Sequence, residues 1–272
     1  MIKQLAKNLV SLKKEFAKTY DGKSQMQEVI PISSCESFPI KQQDLELLHQ
    51  FATKNPIYYN SYEETIDNTK CIVYEGDINK YWLNSIQHGS SNAPFSPTWI
   101  MSAYVAALMT KELGYSEVVD IGSGDGRIAF CAKVLDMEAY SIELDEQLVE
   151  LQKLLVTTLD FHPFCSNAMT FDYSSLNLNH PVFFIGGLSQ MGGATLATGV
   201  INMINSHEFW NNTGWVFAGT ISQKYVPDPK NEAGWGTLME KNNLQKLETI
   251  FLPTVWTFHE IDETPYIFAE SL

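Results

Sequence analysis

At 272 residues the chain exceeds one minimal domain and falls short of two full-sized ones, so one core of ordinary size plus an appendage is expected. A hydrophobic share of 44% and an aromatic share of 12% exclude a disordered tether for the bulk of the chain. Eighteen basic against 32 acidic residues, a net charge of −14, argue against nucleic acid as a partner, and Arg127 is the one guanidinium among them.

Met1 to Tyr20 interleaves lysines with short apolar groups. Neither a secretory leader nor the ~20 apolar residues of a membrane span is present in it. It reads as an amphipathic surface helix, with a helix lying on a membrane surface as the alternative. A polar turn follows (Asp21 to Ser24), then Pro31, Pro39 and Pro56 and scattered tyrosines between short helical patterns. Residues 1–95 are therefore expected to form a helical cap that shapes a substrate region. Gln87 to Pro94 consists of turn formers, and Ser96-Pro97 supplies a helix start. Ile100, Tyr104, Val105, Leu108 and Met109 recur at helical spacing, so a long amphipathic helix ending at Gly114 is predicted.

Beyond Gly114, short apolar strands alternate with helices. Strands are predicted at Glu117–Ile121, Ala139–Glu143, His162–Cys165, Pro181–Ile185 and Trp215–Gly219, and helices at Arg127–Leu135, Asp145–Thr158 and Met191–Asn205. Two β-rich runs close the chain, Leu247–Phe258 and Tyr266–Ala269, joined by the acidic turn Glu260 to Glu263, and read as an antiparallel hairpin on the sheet edge. The expected fold of residues 96–272 is a doubly wound, mainly parallel α/β sheet of seven strands with helices on both faces.

Cys35, Cys71, Cys131 and Cys165 form no C-x-x-C pair and read as reduced thiols of a cytoplasmic protein. His162 and Cys165 are three apart on a strand, where packing is the reading preferred over metal binding. His88 is a candidate base. Tyr58, Tyr59 and Tyr62 either wall a substrate pocket or pack the cap.

The most informative segment runs from Val118 through Asp120-Ile121-Gly122-Ser123-Gly124-Asp125-Gly126 to Arg127, leaving a strand and entering a helix after a glycine-rich turn. In a doubly wound sheet ligands bind in that crevice. No Gly-Lys-Ser/Thr follows, which excludes a Walker loop, and glycines stand where an EF-hand needs oxygen ligands. The spacing is G-x-G-x-G, whereas dinucleotide sites use G-x-G-x-x-G. Asp120 and Asp125 beside the loop would repel a pyrophosphate and suit a cation such as a sulfonium carrying an ammonium group. Glu143 ends the next predicted strand, where a carboxylate can accept from both hydroxyls of a ribose. NAD-dependent oxidoreductases use an acid in the same place, so that class stays open at this point.

The run D-I-G-S-G-D-G resembles the first motif of class I, seven-stranded S-adenosylmethionine-dependent methyltransferases, and the likeness covers roughly Ser96 to Leu272. The resemblance implies S-adenosylmethionine as cofactor. It also implies that Asp120, Gly122, Ser123, Gly124 and Gly126 line its methionine part, that Glu143 holds the ribose and that Leu144 packs on the adenine. Asp145 is expected to cap the following helix. Asn167 stands where relatives place an Asp that bonds the adenine amino group; Asp172 is the rival for that role. Phe184 to Gln190 corresponds to the stretch facing the transferring methyl. It lacks the Asn/Asp-Pro-Pro-aromatic motif of enzymes that methylate planar amino groups and the Asp of metal-dependent members, so no metal is implied. Ser189 and Gln190 either orient an acceptor or form a polar turn. A narrower likeness, carried by Ala93-Pro94-Phe95-Ser96-Pro97-Thr98 and the loop with Arg127-Ile128, is to seven-stranded protein-lysine methyltransferases; the stretch after the fourth strand departs from that pattern. The implied acceptor is a small molecule or a protein, whose lysine an acidic surface would suit. A noncatalytic binding module that keeps the fold is the competing class.

Overall fold

The computed structural model describes residues 1–81, 95–155, 159–188, 193–220, 229–253 and 263–272. Its amino-terminal part contains α1 (Ile2–Thr19), β1 (Met26–Pro31), α2 (Gln42–Lys54), β2 (Tyr58–Ile66) and β3 (Thr69–Gly76). To the helices expected of a cap it adds a three-stranded antiparallel sheet in the order β1-β3-β2. Asp67 and Asn68, both at positive φ, make the tight connection between β2 and β3. An Asp-Asn pair is suited to that backbone.

The following helix, α3 (Ile100–Glu112), ends as predicted, with Gly114 at φ 96 just beyond it. It is not amphipathic: every residue from Ile100 to Ala107 is buried, together with Met109 and Thr110. Helices that bury all sides lie inside a fold. It also starts three residues later than Ser96-Pro97 implies, because the Ile100 amide donates to the Glu28 carboxylate of β1 at 3.0 Å, a cap supplied from 72 residues away.

Then come β4 (Glu117–Ile121), α4 (Arg127–Val134), β5 (Glu138–Glu143), α5 (Glu146–Leu155), β6 (His162–Cys165), β7 (Pro181–Leu188), α6 (Gly193–Ile204), β8 (Gly214–Thr220), α7 (Gly236–Lys241), β9 (Leu244–Pro253) and β10 (Glu263–Ser271). These strands build the seven-stranded sheet, ordered β6-β5-β4-β7-β8-β10-β9. The first five pair in parallel, and β10 runs antiparallel to both β8 and β9. The closing hairpin is thus present, but its second strand lies inside the sheet and β9 forms the edge. Alternation along the strands feeds two cores: Val118, Val182 and Val216 join one face, Val119, Phe183 and Trp215 the other. Burial on both faces is what a parallel sheet between helix layers requires.

Helix α1 turns Leu5, Leu9, Leu12 and Phe16 into the first of these cores, against α3 and β9. Its lysines reach the last two strands, Lys3 pairing with Glu248 at 2.5 Å and Lys14 with Glu263 at 3.0 Å. With its apolar stripe so covered, α1 has no apolar face free to insert into a membrane surface. Among the described residues no helix is long and apolar enough to cross one. Tyr58 points into the protein, whereas Tyr59 and Tyr62 are exposed on β2, so the three tyrosines form no common wall.

Candidate cofactor site

Where β4 ends, the chain reverses through Gly122, Gly124 and Gly126, at φ 65, 58 and 77. All three lie in the left-handed region that favours glycine. The amides of Gly122 and Ser123 donate to the Ile142 carbonyl of β5 at 2.9 and 3.3 Å, and Gly126 N–H closes the turn on the Ser123 carbonyl at 2.8 Å. A Cβ at Gly124 would stand 2.9 Å from the Phe95 ring and one at Gly126 3.0 Å from the Gln152 side chain. At Gly122 the nearest described atom, on Leu196, would be 4.0 Å away, an ordinary contact, so the loop is tightly packed at Gly124 and Gly126 and least crowded at Gly122. Gly126→Ala combines the left-handed φ with the Gln152 contact; it is expected to lower stability by about 1–3 kcal/mol, read as a fall in the thermal midpoint.

Asp120, next to last in β4, is buried. Its carboxyl accepts the Ala129 amide at the start of α4, while Oδ2 has no hydrogen-bond partner among the described residues. Burial, reinforced by the nearby Glu143 and Asp125 charges, pushes this acid up to about 8. Glu143 ends β5, also buried, and its carboxylate is the loop's main polar support. Oε2 accepts the Gly124 amide at 2.8 Å, and Oε1 accepts Leu144 N–H at 2.8 Å and Asp145 N–H at 3.0 Å. Burial raises its pKa in spite of these bonds. Leu144 beside it is 40% exposed, an apolar surface at the crevice edge. Asp145 caps α5 as expected, accepting Gln147 N–H at 2.9 Å.

Asp125 does not belong to the anionic lining that the sequence suggests. It faces inward, 1% exposed, held by Arg127 Nε at 2.8 Å and Nη2 at 2.5 Å and by Asn55 Nδ2 at 2.9 Å. Its charge is neutralised within the protein, which leaves Asp120 and Glu143 as the acids of the expected lining among the described residues. Gln152 of α5, absent from the sequence reading, lies beneath the loop. Its Nε2 donates to Ser123 Oγ at 2.9 Å and to the Gly124 carbonyl at 2.8 Å, while Oε1 accepts from Ser141 Oγ at 2.5 Å. One glutamine among the polar residues of an amphipathic helix carries no local signal of that role.

After β6, Asn167 Oδ1 accepts Met169 N–H at 2.9 Å, closing its own turn, which leaves one lone pair and the amide N–H groups for a ligand. Asp172 is exposed and caps Tyr173–Ser175 through Ser174 N–H at 3.1 Å. His162 stacks on Tyr140, and among the described residues no group of three His, Cys, Asp or Glu is placed to hold a metal. His88, Ser189 and Gln190 lie outside the described residues.

Sheet order, an antiparallel penultimate strand position for β10, and a glycine loop with an acid at the end of the neighbouring strand together define a Rossmann-like fold with the seven-stranded arrangement that the resemblance implies. No protein-family profile matches the sequence, and no curated protein matches it significantly. Among solved structures, the chain is similar to magnesium protoporphyrin IX methyltransferase from Synechocystis PCC 6803 with bound S-adenosylmethionine, at 10% identity and a TM-score of 0.46, covering 85% of this chain and 97% of that one. It is similar to the tRNA (uracil-54, C5)-methyltransferase of Pyrococcus abyssi in complex with S-adenosyl-L-homocysteine, at 12% identity and a TM-score of 0.47, over 65% of this chain and 40% of that one. A third is the ribosomal protein L11 methylase of Lactobacillus delbrueckii subsp. bulgaricus, at 13% identity and 0.41, over 63% and 80%. The architecture stated here stands on the chain's own strand order and pairing.

Proposed function

We propose that the protein is a methyltransferase that binds S-adenosylmethionine over the glycine loop, with a small molecule or a protein lysine as acceptor. The observation that carries this reading is the buried Asp120 carboxyl, whose Oδ2 has no partner among the described residues and which lies two residues before Gly122, the least crowded glycine of the loop. An acid buried at such cost is relieved by a cation, and the bound cofactor would supply an ammonium together with the sulfonium that donates the methyl. A dinucleotide fits less well: the Gly124 amide that would face a pyrophosphate is already engaged by Glu143.

Glu143 and Leu144 would then hold ribose and adenine, with Asn167 at the adenine amino group. Gly186, near the end of β7, would meet nothing among the described residues within 4 Å if it carried a Cβ, and an acceptor is proposed to approach from there. Direct displacement asks of the chain alignment and exclusion of water more than a covalent nucleophile.

Calorimetric titration of ligand-free protein with S-adenosylmethionine and S-adenosylhomocysteine tests the reading; absence of heat for both overturns it. Glu143→Ala is expected to weaken binding by about 3 kcal/mol, near a hundredfold, since it removes the remaining charge-assisted acceptor together with the carboxylate that holds the Gly124, Leu144 and Asp145 amides. Transfer of isotope from labelled cofactor to an acceptor in a lysate separates an enzyme from a noncatalytic binding module.

A further inference from the structure

The glycine loop is held by the amino-terminal region through a chain of buried polar contacts that the cofactor reading does not use. Asp125, between the second and third glycines, is gripped by Arg127 and by Asn55 at the end of α2. Arg127 Nη1 continues to Glu28 Oε1 of β1 at 2.7 Å and donates to the Thr98 carbonyl. Glu28 in turn accepts Tyr58 O–H of β2 at 2.8 Å and the first amide of α3. Glu28, Asn55, Asp125 and Arg127 are each at most 2% exposed. Asn55 is also fixed at its other end, its Oδ1 accepting Ile57 N–H at 3.2 Å. The loop is thereby tied to β1, α2, β2 and the start of α3 at once, while Gln152 and Glu143 support it from the sheet side.

From this geometry we infer that Asn55, Glu28 and Arg127 are positioning residues for the cofactor. They fix the loop backbone in its left-handed course, with Glu28 and Asn55 acting from the amino-terminal region, outside the seven-stranded sheet, through Arg127 and Asp125. Loop geometry matters because three glycines in sequence have the greatest freedom to lose on ordering. A clamp that orders them beforehand removes that cost from the binding step. The inference deepens the reading of the site as one for S-adenosylmethionine and rests on it for its affinity consequence only.

Asn55→Ala removes a donor to Asp125 without altering the loop itself, and Asn55→Ser is a second, smaller disturbance. Tyr104→Phe serves as control: it removes the donor to buried Asp44, at 2.7 Å, in the same core but away from the loop. In Asn55→Ala, amide hydrogen exchange of residues 121–127 is expected to accelerate about tenfold or more, and S-adenosylhomocysteine to bind about tenfold more weakly at a temperature where the variant is fully folded. Tyr104→Phe should lower the thermal midpoint while leaving both readouts as in the parent. Unchanged loop exchange in both Asn55 variants, or equal changes in the Tyr104 control, overturns the inference. Should the parent protein bind no S-adenosylhomocysteine, the reading of the site fails, and the exchange measurement still decides whether the clamp exists.

Discussion

Asp120→Asn is expected to stabilise the ligand-free protein and at the same time to weaken cofactor binding. The folded protein holds this acid at about 8, against 3.8 for an exposed aspartate. Its folded state therefore keeps a proton that the unfolded chain releases. The penalty is absent below the unfolded value, grows as pH rises through the window from about 4 to about 8, and is complete above it. At neutral pH most of that penalty is expressed, on the order of 4 kcal/mol. Asparagine keeps an oxygen for the Ala129 amide and abolishes the titration, but buries an N–H group at the place of Oδ2, which costs about 1–3 kcal/mol. A net gain of about 1–3 kcal/mol at pH 7, rising toward pH 9, follows, read as a higher thermal midpoint and a flatter dependence of that midpoint on pH. Binding runs the other way. A cation against Asp120 favours the ionised form, so binding expels its proton, and affinity for S-adenosylmethionine should climb as pH is raised from 6 to 7.5, up to tenfold per unit. The asparagine variant should bind at least about tenfold more weakly and lose that pH dependence. An Asp120→Asn protein less stable than its parent at pH 9 would refute the burial argument.

The same carboxyl explains why so much of the site is legible in one dimension. Strand, turn and helix between Glu117 and Val134 are local events: five residues rich in apolar side chains, three glycines at alternate positions, then a helical run, and the structure begins β4 and α4 at the predicted residues. Glu143 and Asp145 are legible for a similar reason, because a strand end followed by a capped helix is written in consecutive residues. What sequence reading misses is fixed by partners far along the chain. Asp125 looks like a second anion for a ligand until Arg127 is seen to turn back on it and Asn55, 70 residues earlier, to complete the grip. The start of α3 depends on Glu28, and the burial of α3 on all sides depends on packing against α1, α4 and β1. The strand β2 carries exposed tyrosines and acids in place of a clean apolar alternation, so its pairing with β3, and with it the sheet of the amino-terminal region, has little local signature.

Arg127→Met tests how far the buried ionic cluster carries the fold. The guanidinium is 2% exposed and faces Glu28 at 0% and Asp125 at 1%. Methionine fills most of the volume and leaves two carboxylates without their counter-charge. Lys13, itself nearly buried over the Trp99 ring at 4.7 Å, has its pKa lowered to about 8 by burial despite the attraction of Glu28. It offsets part of that charge but makes no fork to Asp125. Breaking a buried pair by deleting one partner costs about 3–5 kcal/mol, because the remaining charge can neither reach water nor keep its bond. The loss should show as a fall in thermal midpoint of roughly ten degrees, at the 2–4 °C per kcal/mol usual for chains of about this size. It should also be smaller at pH 5 than at pH 8: Glu28 already has a raised pKa from burial, and without the arginine it takes up a proton more readily, which removes the uncompensated charge. Neutralising the carboxylates together with the arginine, in Glu28→Gln, Asp125→Asn, Arg127→Met, is expected to cost less than the single change, because no isolated ion is left inside. A single variant that melts within two degrees of the parent at pH 8, or a triple variant that melts below the single one, would show that these ions are hydrated and that the cluster does not tie the loop to the amino-terminal strands.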